Sequence, residues 1–191
     1  MIATHFAFSL AAIAFMAAPA WAATETAPAS RWVKVCEADS CNIMQRIVGP
    51  NGDLVASVTV RQTKGDPKVR LVVSMPLGVN VKAGLSVRID DKANLPMKFG
   101  ICLPAGCYAE GTSDRALVDA LKAGGRLILV AESRGRTIAL PVTLAGFTKA
   151  YDGKGVDLAT ARSQFAELAR ADIAAAQARL AELKAKQAKA E

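Results

Sequence analysis

Residues 54–75 read LVASVTVRQTKGDPKVRLVVSM, and this stretch decides the fold of the chain. Every second residue from 54 to 60 is apolar, and the alternation resumes from 69 to 75 after the turn signal Gly65-Asp66-Pro67. An apolar residue at every second position is typical of a β-strand with one buried face. The stretch therefore predicts two strands, joined by a turn, whose apolar faces lie in a core.

The same rhythm recurs on both sides of this stretch. Gly49-Pro50-Asn51-Gly52 is a strong turn signal, and short apolar-alternating segments lie before it and after residue 84. In all, about nine strands within roughly 120 residues are predicted, a spacing that fits an antiparallel β-sandwich. Pro141 cannot donate a hydrogen bond to a ladder, so we expect it at an edge or a bulge. The remaining predicted strands span 32–36, 41–48, 85–89, 97–101, 126–132 and 137–144, with a short strand from Cys107.

One short helix is predicted among the strands. Ser113 is a good N-cap, Asp114 favours the start of a helix, and Gly124-Gly125 ends the segment. Leu117, Val118 and Leu121 fall on one side of this helix, which is the side we expect to face the core.

Residues 156–191 predict a separate, C-terminal amphipathic helix. From Asp157, a suitable N-cap, to Ala190 the chain lacks Pro and Gly and consists mainly of strong helix formers. A helix over residues 158–190 would be about 50 Å long. Its large apolar side chains fall within about 140° of its circumference; they are Leu158, Phe165, Leu168, Ile173, Leu180 and Leu183.

The spacing of those apolar residues departs once from a strict heptad. A helix packed on its own domain, or one that projects as a partner arm, is therefore favoured over a long coiled coil. Gly153 and Gly155 predict a flexible join between this helix and the strands.

The N-terminus has the pattern of a sorting signal. Residues 6–18 are almost all small or apolar, and Ala20-Trp21-Ala22 is an A-x-A cleavage pattern. Residues 1–22 are therefore interpreted as a signal peptide and residues 23–30 as a flexible leader. A retained membrane anchor is the alternative, but the apolar run is shorter than the roughly 20 residues that a spanning helix needs. No other stretch predicts a transmembrane segment in the mature chain, so a periplasmic or secreted location is expected.

Removal of the signal peptide would also remove His5, which is the one histidine of the sequence. Catalytic triads, histidine acid–base chemistry and zinc sites with imidazole ligands would then be excluded. Asp90-Asp91 is the nearest approach to a paired carboxylate, and with Lys92 and Asn94 it is better interpreted as a hairpin turn. The sequence thus predicts no catalytic residues, no cofactor, no metal site and no enzyme activity.

Four cysteines occur as two C-x4-C pairs, Cys36 with Cys41 and Cys102 with Cys107. Such a set could hold zinc in the cytosol, whereas in an exported chain two disulfides are expected. Three connectivities are possible. Each pair brackets a turn-like tetrapeptide, and a four-residue hairpin loop places its flanking residues opposite one another, so the bonds 36–41 and 102–107 are favoured.

The positive charge is concentrated in the strand region. Residues 31–149 contain 17 basic and 10 acidic side chains, whereas residues 150–191 contain 7 and 6. An exported basic domain could bind anionic lipid headgroups, lipopolysaccharide or acidic glycans. The favoured interpretation of the charges alone is that they are solvated strand faces that keep the protein soluble. Nucleic acid is an unsuitable partner for an exported chain that has few aromatic residues. Arg61, Arg70 and Arg88 would share one face only if the strand registers allow it.

Five short motifs follow one another along residues 31–151. They are Trp32-x-x-x-Cys36, Cys41-x-x-x-Gln45, Met75-Pro76-Leu77-Gly78-Val79, Cys102-x-Pro104-x-Gly106-Cys107 and Gly146-Phe147-x-x-Ala150. In this order the motifs resemble those of the invasion-associated locus B family. The resemblance implies an immunoglobulin-like β-sandwich in a secreted or periplasmic protein of a Gram-negative bacterium. It also implies a link to host-cell invasion, with no established enzymatic mechanism. The tail after Lys154 is an addition to the family pattern.

Each motif residue also has an explanation that needs no ligand. Trp32 is expected to be a core anchor, Gln45 to hydrogen-bond across the sheet, and Phe147 to be buried where the last strand docks. Pro76-Leu77-Gly78 is expected to redirect the chain between strands, with a recognition loop as the alternative.

Three functional hypotheses follow from these observations. The favoured one is a non-enzymatic binding module of the bacterial envelope, with an unknown protein or an anionic envelope component as its partner. The second is a structural envelope protein whose C-terminal helix docks a partner. The third is a thiol-based or hydrolytic enzyme, which the absence of a C-x-x-C motif and of histidine disfavours.

Overall fold

The computed structural model describes residues 31–90 and 92–189. The predicted signal peptide (1–22), the leader (23–30) and Asp91 of the predicted turn lie outside the described residues. Within the described part of the chain there are nine strands and three helices. The strands are β1 Val33–Glu37, β2 Ser40–Val48, β3 Leu54–Thr63, β4 Val69–Met75, β5 Leu85–Ile89, β6 Ala93–Leu103, β7 Gly106–Ser113, β8 Arg126–Ser133 and β9 Arg136–Thr143. The helices are α1 Arg115–Ala123, α2 Phe147–Asp152 and α3 Leu158–Ala188.

The strands form one curled antiparallel sheet in the order β1-β2-β3-β4-β7-β6-β5-β8-β9. The long strand β6 joins its two halves: residues up to Met97 pair with β5, residues from Lys98 pair with β7, and the register shifts between Phe99 and Ile101. A strand that changes partners near a bulge turns a corner in a sheet. The mostly antiparallel β-fold is thus confirmed, whereas an immunoglobulin-like sandwich of two sheets is not.

The alternation that predicted the strands is present in the core. Ala56, Val58 and Val60 of β3 are buried, as are the alternate residues of β4, β5 and β8. Buried residues from both halves of the sheet form a single hydrophobic cluster, to which α1 contributes Val118 and Leu121. Pro141 lies on β9, which is an edge strand as expected.

Two details of the helices differ from the sequence predictions. Asp114, not Ser113, is the N-cap of α1, because its carboxylate accepts a hydrogen bond from the backbone N–H of Ala116 at 2.9 Å. Ser113 instead ends β7, which has eight residues and is not short. Helix α2 was not predicted; it begins after Gly146, whose φ of +82° is a left-handed conformation that glycine adopts without strain.

Helix α3 agrees with the prediction of a long helix after Asp157. The Asp157 carboxylate accepts a hydrogen bond from the backbone N–H of Thr160 at 2.8 Å. The first half of α3 packs on β1 through Ala161, Phe165 and Leu168, whereas residues 177–189 are all exposed. Among the described residues, no helix is both long and apolar enough to cross a bilayer.

The join between the sheet and α3 is not the flexible hinge that Gly153 and Gly155 predicted. The backbone N–H of Val156 donates to the carbonyl oxygen of Lys34 at 2.8 Å. A Cβ atom built on Gly155 would lie 2.6 Å from Sγ of Cys36. Glycine is needed at position 155 because the linker lies directly against β1.

Candidate functional site

The two cysteine pairs close two hairpins at opposite ends of the strands. Cys36 is bonded to Cys41, and Cys102 is bonded to Cys107, as the hairpin argument favoured. The first hairpin (residues 36–41) lies where β2 begins, and the second hairpin (residues 102–107) lies beside Met75, where β4 ends. Because β2, β3 and β4 run alternately up and down, these positions are opposite ends of the sheet.

An aromatic stack fixes the chain behind the first hairpin. Trp32 contacts Phe147 edge to face, with ring centroids 4.9 Å apart, and Phe147 contacts Tyr151 at 5.7 Å. Nε1 of Trp32 donates to the backbone oxygen of Thr143 at 2.9 Å, which links the neighbourhood of β1 to the far edge strand β9. Trp32 and Phe147 are therefore the core anchors that the sequence predicted.

Two lysines approach the ring of Tyr151 at this end. Nζ of Lys34 donates to the backbone oxygens of Tyr151 and Gly153, at 2.7 and 3.0 Å. Nζ of Lys122 lies 4.9 Å from the centre of the Tyr151 ring and forms an ion pair with Asp152 at 2.6 Å. Burial lowers the pKa of Lys34 and raises the pKa of Tyr151, although nearby Arg115 and Lys122 oppose the rise for Tyr151. The tyrosine hydroxyl thus stays protonated at neutral pH.

A groove of about 510 Å³ lies between the first hairpin, the β3–β4 turn and α1. Arg115 and Lys64 supply positive charge to it, and Asp39 and Asp66 supply negative charge. The Asp66 carboxylate is already engaged, since it accepts a hydrogen bond from the backbone N–H of Lys68 at 2.8 Å. The mixed charge of this groove favours no single class of ligand.

The second hairpin displays large apolar side chains. Leu77 is 58% exposed, Ile101 56% and Leu103 46%. We call these three residues the apolar rim. Gly106, opposite Leu103 in the β6–β7 ladder, has a φ of +139°, and a Cβ atom built on it would lie 2.5 Å from the backbone oxygen of Met75. The second hairpin therefore packs tightly against the segment that leads to Leu77.

Hydrogen bonds hold the loop 76–84 against the β8–β9 turn. The backbone N–H of Asn80 donates to the backbone oxygen of Glu132 at 2.7 Å, and its side-chain amide donates to the Glu132 carboxylate at 3.1 Å. The hydroxyl of Ser133 donates to the backbone oxygen of Gly78 at 3.1 Å. Leu77 is thus presented by a fixed loop.

Basic residues border the apolar rim. A Cβ atom built on Gly78 would lie 3.9 Å from Nε of Arg134, so this guanidinium lies beside the Leu77 loop. The loops 76–84, 101–106 and 133–136 contain Lys82, Arg134 and Arg136 and no acidic residue. All three basic side chains are exposed. The second end of the sheet therefore combines apolar and cationic groups.

The exposed half of α3 extends beyond this same end of the sheet. A Cβ atom on Gly52, in the β2–β3 turn, would lie 3.4 Å from Cδ1 of Ile173, which places the middle of the helix at that turn. Arg31 forms an ion pair with Asp172 near the same point. Beyond it, Leu180 and Leu183 are about half exposed.

Gln45 departs from its predicted role. It is buried, with 4% of its surface exposed, and its Oε1 atom has no hydrogen-bond partner among the described residues. The residue also lines a cleft of about 340 Å³ between β2 and β9. Buried polar atoms are normally paired, so this oxygen is an exception.

The register answers the question about the three arginines. Arg61 and Arg70 are directly opposite one another on β3 and β4. Each has its own partner, because Arg61 donates to Asn42 at 2.8 Å and Arg70 pairs with Glu110 at 3.3 Å. Arg88 lies on β5 in the other half of the sheet, so the three do not form one patch. No group of three His, Cys, Asp or Glu side chains in the described ranges could hold a metal ion.

The comparisons with known proteins agree on one family. The family model described as Invasion associated locus B (IalB) protein matches residues 32–155. The chain belongs to the invasion-associated locus B family. Two Brucella abortus proteins, the invasion protein B homologs of strain 2308 and of biovar 1 strain 9-941, are each 30% identical over 162 residues. Those alignments cover 78% of this chain and 93% of each relative.

A solved structure of the family has the same fold. The crystal structure of invasion associated protein B from Bartonella henselae matches with a TM-score of 0.58 and 26% identity. The match covers 64% of this chain and 89% of that structure.

The five locus B motifs gather at the two hairpin ends. The motifs that contain Trp32, Gln45 and Phe147 surround the first hairpin and the core behind it, and those that contain Leu77 and Leu103 meet at the second hairpin. Sequence reasoning found the motifs but not the apolar rim. Leu77 lies in a turn-forming segment and Leu103 at the end of a strand pattern. Only the tertiary structure shows that both are exposed and that Arg134 lies beside the loop of Leu77.

Proposed function

We propose that this locus B protein is an exported, non-enzymatic binding protein of the Gram-negative envelope, and that it binds its partner through the apolar rim. The exposure of Leu77, Ile101 and Leu103 on constrained loops is the observation that carries the proposal. Exposed apolar patches with polar borders mark interaction sites in folded proteins. A surface that is fixed before binding loses little conformational entropy when it binds.

Export to the periplasm or beyond is supported by the predicted signal peptide and by the two disulfides, which form and persist in oxidising compartments. A non-enzymatic role is supported by the sequence after Ala22, which contains no histidine. The relatives from Brucella and Bartonella are named for invasion, and we extend that role to this chain as part of the proposal.

Envelope fractionation of cells that express the full chain with its own leader tests the proposal. We expect osmotic shock to leave a substantial part of the protein with the membrane pellet, and we expect Leu77→Ser/Leu103→Ser to be released. Thr59→Ser on a strand face serves as the control. Retention of the double variant at the level of the control would refute binding through the apolar rim. Intact mass and thiol counting on the same sample report cleavage after Ala22 and two disulfides; an uncut chain with free thiols would refute export.

Residues 177–189 support a second candidate, in which α3 docks a partner. They are all exposed and leave Leu180 and Leu183 about half exposed on consecutive turns. Truncation after Ala176 removes both leucines and spares the half of α3 that packs on β1. Loss of envelope retention in the truncated chain, with full retention of the rim variant, would assign the binding to the helix.

A further inference from the structure

We infer that the second end of the sheet docks on an anionic lipid surface, with the apolar rim at the boundary between headgroups and acyl chains and Arg134 and Arg136 on the lipid phosphates. This inference rests on the proposed function and names its partner. An amphipathic protein surface binds the membrane interface when its apolar groups enter the acyl boundary and its cationic groups contact headgroups.

The apolar component is contiguous. Gly106 packs against the backbone of Met75 and Pro76, which brings the second hairpin next to Leu77. Ile101 and Leu103 are two residues apart on β6, and alternate residues of a strand point to the same face. Leu77, Ile101 and Leu103 therefore emerge at one end of the sheet from segments that contact each other.

The charge of these loops complements an anionic surface. Loops 76–84, 101–106 and 133–136 have three cationic side chains and no anionic one. Neither Arg134 nor Arg136 forms an ion pair with any described residue. Glu132, the nearest carboxylate along the chain, accepts a hydrogen bond from Asn80. The arginines thus remain available for phosphate oxygens, to which guanidinium groups bind in a bidentate manner.

A lipid surface supplies both required chemistries in one place. Membranes enriched in anionic lipids attract basic side chains within a Debye length, and their acyl boundary accepts leucine and isoleucine. The envelope in which we place this protein is bounded by such membranes. A protein partner would need an apolar patch surrounded by acidic groups. Binding to such a protein is the alternative that the experiments below must distinguish from lipid binding.

A fluorescent variant reports insertion directly. Trp32 is buried, and once Trp21 is cleaved off with the signal peptide it is the single tryptophan of the chain, so Leu77→Trp adds one exposed reporter. With vesicles of phosphatidylglycerol and phosphatidylcholine, we expect a blue shift of its emission and quenching by brominated acyl chains. Vesicles of phosphatidylcholine alone should give a weaker response. Leu158→Trp, at the start of α3 and away from the second end, is the matched control, because Leu158 is 49% exposed, and it should not respond.

Vesicle sedimentation measures the contribution of each group. We expect Leu77→Ser/Leu103→Ser to reduce partitioning about tenfold. We expect Arg134→Gln/Arg136→Gln to reduce it about tenfold at low salt and to remove much of the salt dependence. Leu180→Ser/Leu183→Ser should bind like the unmodified protein. Thermal unfolding of each variant checks that these exposed substitutions leave the fold intact.

Binding that is lost in the α3 variant and kept in the rim variant would overturn the inference. Absence of vesicle binding would also overturn it. If envelope retention still required Leu77 and Leu103 in that case, the proposed function would stand with a protein partner. If retention did not require them either, both proposals would fail.

Discussion

The two hairpins of this protein share a spacing and a register but differ in their surroundings. In both, the bonded cysteines are direct cross-strand partners, Cys36 with Cys41 and Cys102 with Cys107. The first hairpin is covered at its base, because the linker at Gly155 lies against Cys36 and α3 packs on β1, whereas its tip at residues 37–39 is exposed. The second hairpin ends in exposed apolar side chains. The same covalent unit therefore closes the fold at one end and presents a surface at the other.

Phe147→Ala tests the structural role of the first end and should have the largest effect. Phe147 is fully buried and contacts both Trp32 and Tyr151, so we expect a loss of about 3–5 kcal/mol in the free energy of unfolding. Leu77→Ala, at the second end, should stay within about 0.5 kcal/mol because the side chain is mostly exposed. Urea denaturation measures both. Equal losses of unfolding free energy in the two variants would contradict the distinction between a structural first end and an exposed second end.

Gly106→Ala tests how tightly the second hairpin is held. Its Cβ would lie 2.5 Å from a backbone oxygen, and its φ of +139° is unfavourable for alanine, so we expect a loss of about 3 kcal/mol. Gly65 is the matched control, since its φ of +80° is also positive but nothing lies within 4 Å of a Cβ there. Gly65→Ala should cost about 1 kcal/mol. Thermal unfolding distinguishes the two variants. Similar losses of stability would mean that the second hairpin can shift to accommodate a Cβ atom at position 106.

The strands could be predicted because alternation is a local property. Ala56, Val58 and Val60 reveal their buried face within a few residues of sequence. The single curled sheet could not be predicted, since it depends on β6 pairing with β5 and then with β7, a long-range choice with no local pattern. Helix α2 was missed because its six residues are too few to show helical periodicity.

The candidate site was only half predictable. Spacing alone favoured the correct cysteine partners, because a four-residue loop brings its ends together. The apolar rim was not predicted because the exposure of a side chain depends on the tertiary structure. In the sequence, Leu77 and Leu103 cannot be distinguished from leucines that lie in the core. The prediction of a flexible hinge at Gly155 was wrong, because the linker there packs closely against Cys36. A glycine that is required by such a close approach cannot be distinguished in the sequence from one that provides flexibility.

Removal of each disulfide separates stability from binding. The two bonds close loops of equal length, so Cys36→Ala/Cys41→Ala and Cys102→Ala/Cys107→Ala should each cost about 2 kcal/mol. Only the second pair fixes the apolar rim, so only its loss should weaken envelope retention. Fractionation at a temperature where both variants remain folded provides the measurement. A matching loss of retention in both variants would mean that overall stability, not the rim, controls binding.

Gln45→Met tests the buried polar atom in the cleft between β2 and β9. Removal of an unpaired acceptor should stabilise the fold by about 1 kcal/mol. Ser74→Ala is the matched control, because the buried Ser74 hydroxyl is bonded to that of Ser57 at 2.7 Å and its loss should destabilise by about 1 kcal/mol. Chemical denaturation measures both. Destabilisation by Gln45→Met would contradict the assignment of this oxygen as an unpaired acceptor.

The smallest expected effect concerns the start of α3, where the helix leaves the first end. Hydrogen bonds from the backbone and side chain of Thr160 lower the pKa of Asp157, so the carboxylate is favoured in the folded protein. A lowered folded pKa contributes stability that is present above the usual carboxyl pKa and is lost as the pH falls through the folded value. Asp157→Asn retains a capping side chain without a titrating group. Circular dichroism should therefore show a slightly smaller acid-induced loss of helix in Asp157→Asn, with vesicle binding unchanged at neutral pH. Identical acid profiles would mean that packing of Phe165 and Leu168 on β1, not the cap, sets the stability of this half of α3.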